Sequence, residues 1–189
     1  MRLFVAVDLP ADLRARLGAI QEALRPAPLH VRWARAGGIH LTLKFLGEVA
    51  AERLETVEAA LREAGRGIRP FRLEAAGVGT FPEGGLPRVI WVGVCGDLEA
   101  LTRLHEEIDR ALEGIGFPAE ERDYHPHLTL GRVKGPGRGD WRSHIARSAH
   151  APAGAFSVEE YVLFESRLGP QGPAYNALAG FPLVAGGSS

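Results

Sequence analysis

Two short segments of the chain carry the same pattern of chemically active residues: a histidine, a leucine, a threonine and a second leucine. They are His40–Leu43 and His127–Leu130. Alternate residues of a β-strand point to the same face, so each histidine shares a face with its threonine while the leucines point toward the core. Two such strands facing each other across a groove would surround one small volume with two imidazoles and two hydroxyls.

Two imidazoles at one site are suited to breaking a phosphodiester by proton transfer. The pKa of an unperturbed imidazole is ~6.5, so one ring can accept a proton from an attacking water while the other donates a proton to the departing oxygen. Threonine hydroxyls can donate hydrogen bonds to the non-bridging phosphate oxygens as negative charge builds there. The residues alone do not decide which histidine is the acid and which the base, because the two segments are near copies.

The two segments lie 87 residues apart, and the same offset aligns other parts of the chain. It places Val5–Val7 on Val92–Val94 and Leu17 on Leu104. One offset that aligns a strand, a helix and a motif predicts an internal repeat. We therefore expect a single bilobal domain over residues 1–189, with repeats at roughly 1–87 and 88–184 and a disordered Gly/Ser tail at 185–189.

The elements that must position the two motifs follow from hydrophobic periodicity, and each repeat has the order strand, helix, strand, helix, strand, strand. Helices are predicted after Pro10, over 50–64, after Asp97 and over 141–149; strands are predicted over 3–7, 39–46, 71–81, 88–95, 127–134, 156–167 and 175–183. The fold class is then α+β. We expect two pseudo-symmetric lobes, each an antiparallel or mixed β-sheet with helices packed outside, and an active-site groove between them.

Composition limits the possible partners and locations. The net charge is −1, so no global basic field could hold a long nucleic acid, and any nucleic-acid substrate would have to be bound locally at its end. The single cysteine, Cys95, fits a reducing compartment, and we see neither a secretory leader nor an apolar run long enough for a membrane helix. We expect a cytoplasmic protein with no membrane partner, and a monomer.

Other readings of the same residues stay open at this point. His40, His125 and His127 could form a three-imidazole zinc site, although the threonines have no role in such a site. Phe45, Phe81 and Tyr124 could stack on a base, or could be core residues. The site could serve 2',5'-oligonucleotides or a small cyclic-phosphate nucleotide, or the chain could be an RNA-binding module without catalysis. The absence of a Gly-x-x-x-x-Gly-Lys-Ser/Thr loop argues against the use of ATP.

Longer stretches around both motifs resemble a known family. Ile39–Glu48 and His125–Arg132 resemble the two signature motifs of the two-histidine phosphoesterase superfamily, and within it the bacterial and archaeal RNA 2',3'-cyclic phosphodiesterases, historically called 2'-5' RNA ligases. Arg2–Val7, Gly79–Pro82 and Pro87–Gly93 also resemble that branch. The resemblance spans nearly the whole chain.

The resemblance implies hydrolysis of an RNA 2',3'-cyclic phosphate to a 2'-phosphomonoester without a metal or other cofactor, and the reverse joining of RNA ends through a 2',5' linkage. It implies that His40 is the proton donor and His127 the proton acceptor. It also implies that Thr42, Thr129 and Arg132 contact the substrate phosphate. From strand alternation we expect Arg132 to share the face of His127 and Thr129.

Overall fold

The computed structural model describes residues 1–169 and 172–184, so the predicted 185–189 tail lies outside the described residues. It confirms the predicted α+β class. The strands are β1 Arg2–Val7, β2 Leu29–Trp33, β3 Leu41–Glu48, β4 Phe71–Phe81, β5 Val89–Gly96, β6 His127–Pro136, β7 Pro152–Val158, β8 Glu160–Gly169 and β9 Gly172–Pro182. The helices are α1 Ala11–Leu24, α2 Leu54–Ala64, α3 Leu98–Glu113 and α4 Trp141–Arg147, with short 3₁₀ turns at Ala36–Gly38 and Ala51–Arg53.

The strands form one sheet in the order β7-β4-β5-β6-β3-β1-β8-β9, and β2 also pairs with β6. Every pairing between these strands is antiparallel, which settles the choice between an antiparallel and a mixed sheet. β3 and β6 pair at a single position, where Leu41 lies opposite Leu128. The sheet therefore consists of two parts that meet at a narrow seam between β3 and β6.

The two parts of the sheet do not coincide with the two halves of the sequence. β1 pairs with β3 and with β8, so a strand from the second half completes the part built around β1. β5 pairs in the same way with β6 and with β4, a strand from the first half. Each half of the chain thus contributes two strands to the other half's part of the sheet: β8 and β9 lie in the part that contains β1, and β2 and β4 lie in the part that contains β5 and β6.

The helices cover one face of the sheet only. α2 and α3 pack against each other, α3 also packs on β3 and β4, and α1 packs on β7. Val5, Leu41 and Leu128 belong to the continuous apolar core on this face. The opposite face carries a small separate apolar cluster of Phe4, Ala6, Val162 and Phe164. The second face is therefore the one left open for a ligand.

Local sequence accounts for the helices that cover the core. α3 begins after Asp97, whose side chain accepts a hydrogen bond from the backbone N–H of Ala100 at 3.0 Å, as the predicted cap requires. Its buried face consists of Leu101, Leu104, His105, Ile108 and Leu112, and that of α1 of Leu13, Leu17, Ile20, Gln21 and Leu24. Both helices confirm the predicted periodicity.

Two elements differ from the sequence-based expectations. Residues 29–33, to which no element was assigned, form β2, because alternate residues of this segment pack against the core while the backbone pairs with β6. The single strand predicted over 156–167 is two strands, β7 and β8, that belong to different parts of the sheet. In both cases the structure depends on pairing with a distant strand, and such pairing cannot be predicted from local periodicity.

Candidate active site

The seam between β3 and β6 brings the two motifs together. Leu41 and Leu128 are paired and fully buried, so each contributes ~1.5–3 kcal/mol of apolar burial that holds the seam in place. Extending this antiparallel register by one residue sets His40 opposite Thr129, and Thr42 opposite His127. Diagonal neighbours of this kind lie about 7–8 Å apart across a strand pair, so the two rings can flank one phosphate.

His40 precedes β3 and lies in an aromatic environment on the open face. Its ring stacks on Phe4 with 4.7 Å between centroids, and the ring of Tyr175 meets it edge-on at 5.1 Å. Burial lowers the pKa of His40 from 6.5 to about 4, although a hydrogen bond to the backbone at Gly38 and the charge of Asp8 act in the opposite direction. The imidazole is therefore neutral at pH 7 when no anion is bound.

His127, the first residue of β6, is held by the backbone two residues before it. Its Nδ1 lies 2.7 Å from the carbonyl oxygen of His125. A carbonyl can only accept a hydrogen bond, so Nδ1 carries the proton and Nε2 carries the lone pair. Phe81 meets the ring edge-on with 5.1 Å between centroids. This tautomer leaves Nε2 able to accept a proton from a water molecule.

The two threonines are partly exposed beside the histidines. Thr129 lies opposite Trp91 on β5, and Trp91 packs against Phe81 with 5.0 Å between ring centroids. A Cβ atom at Gly79 would lie 2.3 Å from the indole ring, so the position of Trp91 depends on the missing side chain of Gly79. An aromatic wall thus supports the His127 side of the site, as Phe4 and Tyr175 support the His40 side.

Arg132 reaches the open face through a β-bulge. Strict alternation from His127 would have placed Gly131 on this face and Arg132 on the other, so the alternation argument for Arg132 was wrong. In the structure Trp91 pairs with Thr129 while the preceding residue, Ile90, pairs with Gly131, which leaves Leu130 as the extra residue of a bulge. Beyond the bulge, Arg132 is exposed and faces the same side as Thr129.

A bulge occurs at the equivalent place in β3. The register between β1 and β3 shifts so that Thr42 pairs with Ala6 while Lys44 pairs with Val5. Phe45 then follows Thr42 on the open face, where its side chain is 66% exposed. Phe45 and Arg132 are therefore equivalent positions on the two sides of the seam.

Tyr124 has a role that the sequence did not reveal. Its hydroxyl donates a hydrogen bond to the backbone carbonyl oxygen of Thr42 at 2.9 Å, and its ring stacks on His105 with 4.1 Å between centroids. Burial raises the pKa of the Tyr124 phenol, so the hydroxyl keeps its proton. The residue lies beneath the site and not on the open face where a base could stack. The only sequence signal for a function was its position three residues before His127.

Residues 1–169 and 172–184 contain no group of three or more His, Cys, Asp or Glu side chains that could hold a metal ion, so the alternative of a three-histidine zinc site is not assembled. In the same ranges no helix is both long and apolar enough to cross a membrane. One cavity lies on the helix side of the sheet, where acidic residues, among them Asp109, Glu113 and Glu120, outnumber the basic ones in its lining. Its charge is unfavourable for a phosphate ligand.

Comparison with known proteins points to one family. Residues 7–91 and 92–175 each match the family described as LigT like Phosphoesterase. An RNA 2',3'-cyclic phosphodiesterase of Methanothermobacter thermautotrophicus is 38% identical over 184 residues, covering 97% of this chain and 99% of the relative. A crystal structure from Thermus thermophilus superposes with a TM-score of 0.81 at 33% identity, covering 97% of this chain and 98% of that one. Escherichia coli LigT complexed with 3'-AMP superposes with a TM-score of 0.80 at 26% identity, covering 96% and 97%.

Proposed function

Because this chain belongs to the LigT-like phosphoesterase family, we propose that it is an RNA 2',3'-cyclic phosphodiesterase that hydrolyses the cyclic end to a 2'-phosphomonoester. The observation that carries the proposal is the pairing of Leu41 with Leu128, which sets two histidine–threonine pairs on one open face. The relatives named RNA 2',3'-cyclic phosphodiesterase, which match over nearly their full length, support the choice of substrate.

The reaction is an in-line displacement at phosphorus. His127 accepts a proton on Nε2 from the attacking water, and a bond forms between the water oxygen and phosphorus. The bond between phosphorus and the 3' oxygen breaks, and His40 donates its proton to that oxygen. The product carries a 2'-phosphate and a free 3'-hydroxyl. The hydrogen bond from His127 Nδ1 to the His125 carbonyl supports the acceptor role, because it fixes the ring in the basic tautomer.

The donor role of His40 requires a proton that the free protein does not hold at pH 7, since the pKa of His40 is about 4. A bound cyclic phosphate brings a negative charge next to the ring, and a nearby anion raises the pKa of an imidazole. His40 thus takes up its proton together with the substrate. The protonated form of His40, which acts as the acid, is therefore populated at pH 7 only when the substrate is bound.

The remaining site residues stabilise charge on the phosphate. In this proposal the hydroxyls of Thr42 and Thr129 donate hydrogen bonds to non-bridging oxygens, and Arg132 supplies a positive charge from the β6 side; the strand registers that put these residues near the seam support it. Removal of one such donor typically lowers the rate by ~10²–10³. No cofactor or metal takes part in these steps, and the same contacts would serve the reverse joining of ends through a 2',5' linkage.

The test is an assay on an RNA with a 2',3'-cyclic end in the presence of excess chelator, with the product identified by its phosphate position. We expect a 2'-phosphomonoester. His40→Ala and His127→Ala should each remove turnover while substrate binding is retained. His150→Ala, which changes an exposed histidine outside the site, is the matched control. Turnover that survives in both site variants would overturn the proposal.

We also propose that the protein acts as a monomer in the cytoplasm. The single cysteine fits a reducing compartment, and all five proposed site residues come from one chain. Sedimentation at the protein concentration of the assay should give the mass of a single chain. Turnover per chain should not depend on protein concentration.

A further inference from the structure

Two arginines occupy directly paired positions at the edge of the proposed site. Arg32 on β2 lies opposite Arg132 on β6. The neighbours of Arg32, Val31 and Trp33, pack toward the core, and a Cβ at Gly131 would touch both of them. Arg32 therefore points the other way, to the open face that carries Thr129.

This arrangement is unfavourable without an anion. Side chains at directly opposite positions of an antiparallel pair have Cβ atoms about 4.5–5.5 Å apart, and like charges there repel. Across residues 1–169 and 172–184, neither Arg32 nor Arg132 forms an ion pair or a side-chain hydrogen bond. Other exposed arginines do find acidic partners, for example Arg25 with Glu22 and Arg110 with Glu107. The pair thus has two guanidinium groups available for an external ligand.

The guanidinium of Arg32 extends toward the opposite part of the sheet. A Cβ at Gly172 would lie 2.8 Å from its Nη2 atom, so the group rests against the start of β9. Tyr175, three residues further along β9, contacts the ring of His40. Three residues of a strand span about 10 Å. A ligand group bound by Arg32 is therefore separated from the proposed reacting phosphorus by a distance that a nucleotide unit can bridge.

The two sides of the seam differ at this point. Arg132 has Phe45 as its equivalent on β3, and Phe45 is an exposed aromatic ring 6.0 Å from Phe4. Positive charge is concentrated on the β6 side and an apolar ring lies on the β3 side. A substrate with a charged backbone on one side of its reacting phosphate fits this asymmetry.

We propose that Arg32, beside Arg132 at the reacting phosphate, binds the phosphodiester immediately upstream of the cyclic end, so that the preferred substrate is the end of an oligonucleotide and not a free cyclic mononucleotide. This inference rests on the proposed function and adds to it a second phosphate subsite. Guanidinium groups suit this task because they bind phosphate oxygens through two parallel hydrogen bonds.

The experiment compares kcat/KM for a trinucleotide that ends in a 2',3'-cyclic phosphate with kcat/KM for the cyclic mononucleotide. In Arg32→Gln the ratio of the two should fall by about tenfold, mainly through KM for the trinucleotide, with partial recovery in Arg32→Lys. The logarithm of trinucleotide affinity should also depend less steeply on the logarithm of salt concentration, by about 0.7 for the one lost contact. Arg103→Gln, on the exposed face of α3, is the matched control.

The outcomes separate this inference from the proposed function. An unchanged ratio in Arg32→Gln, with both substrates still cleaved, overturns the subsite and leaves the function standing. An equal loss on both substrates also overturns it, because Arg32 would then act on the reacting end itself. If the unmodified protein cleaves neither substrate, both proposals are wrong. Thermal unfolding of each variant shows whether the fold is kept.

Discussion

The phenol of Tyr124 donates a hydrogen bond of 2.9 Å to the backbone carbonyl of Thr42 and so ties the segment before His127 to the other motif. The ladder between β3 and β6 has only one residue pair, so little else fixes the separation of the two histidines. Tyr124 thereby acts as a positioning residue across the seam.

Tyr124→Phe should lower kcat on a cyclic-phosphate RNA by about tenfold while KM changes little. The loss of one intramolecular hydrogen bond costs ~1 kcal/mol, and the histidines would no longer be held at a fixed spacing. The measurement is steady-state kinetics together with the thermal midpoint of unfolding.

Tyr161→Phe is the control for this prediction. Tyr161 is also buried, and its hydroxyl donates to the backbone carbonyl of Leu61, in the core beneath α2. It should lower the stability as much as Tyr124→Phe and leave kcat per folded molecule unchanged. Equal effects of the two variants on kcat would show that Tyr124 is only structural.

The pKa of His40 should rise when an anion binds. In the free protein we expect the ring to titrate near pH 4, because burial disfavours the charged form. Saturation with a 2'-phosphorylated nucleotide should move the midpoint upward by a unit or more, which NMR of the ring carbon-bound protons measures. A midpoint that stays in place on binding would contradict the donor role of His40.

The same low pKa predicts a loss of stability in acid. In the unfolded chain His40 regains its ordinary pKa of 6.5, so between pH 6.5 and about 4 the unfolded state binds more protons than the folded state. Stability therefore falls as the pH is lowered through this window, by up to ~3 kcal/mol from this residue alone. Urea unfolding at several pH values measures it, and the slope should be smaller in His40→Phe.

Gly79→Ala should impair the His127 side of the site. The added Cβ would lie 2.3 Å from the indole ring of Trp91, which must then move away from Thr129. We expect a drop in kcat/KM of tenfold or more, because a displacement of ~1 Å at such a site can cost about 10²-fold. Gly84→Ala is the control, since nothing lies within 4 Å of a Cβ there. Full activity in Gly79→Ala would show that catalysis does not depend on the position of Trp91.

Lys44→Met should destabilise the fold strongly. Lys44 forms a buried ion pair with Asp109 of α3, with 4% and 18% of the two side chains exposed. Burial would raise the pKa of Asp109, but hydrogen bonds from Lys44 and from the Glu120 backbone lower it overall. Removing one partner of such a pair costs ~3–5 kcal/mol, as denaturant unfolding would show. The double variant Lys44→Met/Asp109→Leu should recover part of the loss; additive losses would show that the charges do not interact.

The two histidine–threonine pairs could be predicted from the sequence, because each pair lies within one strand and the pattern occurs twice. The spacing of His40 and Thr42, copied at His127 and Thr129, follows from strand alternation alone. The bulge at Leu130 could not be predicted in this way, because an extra residue is visible only against the partner strand. From the sequence Tyr124 could equally stack on a base or pack in the core, because an isolated aromatic gives no sign of a backbone acceptor 82 positions away. The strand β2 could not be predicted from local sequence, because its pairing with β6 is long-range.

The exchange of β4 and β8 between the two parts of the sheet bears on how such a molecule could arise. A polypeptide with one repeat would lack the strand that lies beside β1 or β5, and would expose an open edge there. Two identical copies could each lend that strand to the other, and one histidine from each would then meet at their twofold axis. Joining two such copies head to tail would keep the exchange of β4 and β8, and it would free the two sides to diverge into an aromatic flank and a cationic one.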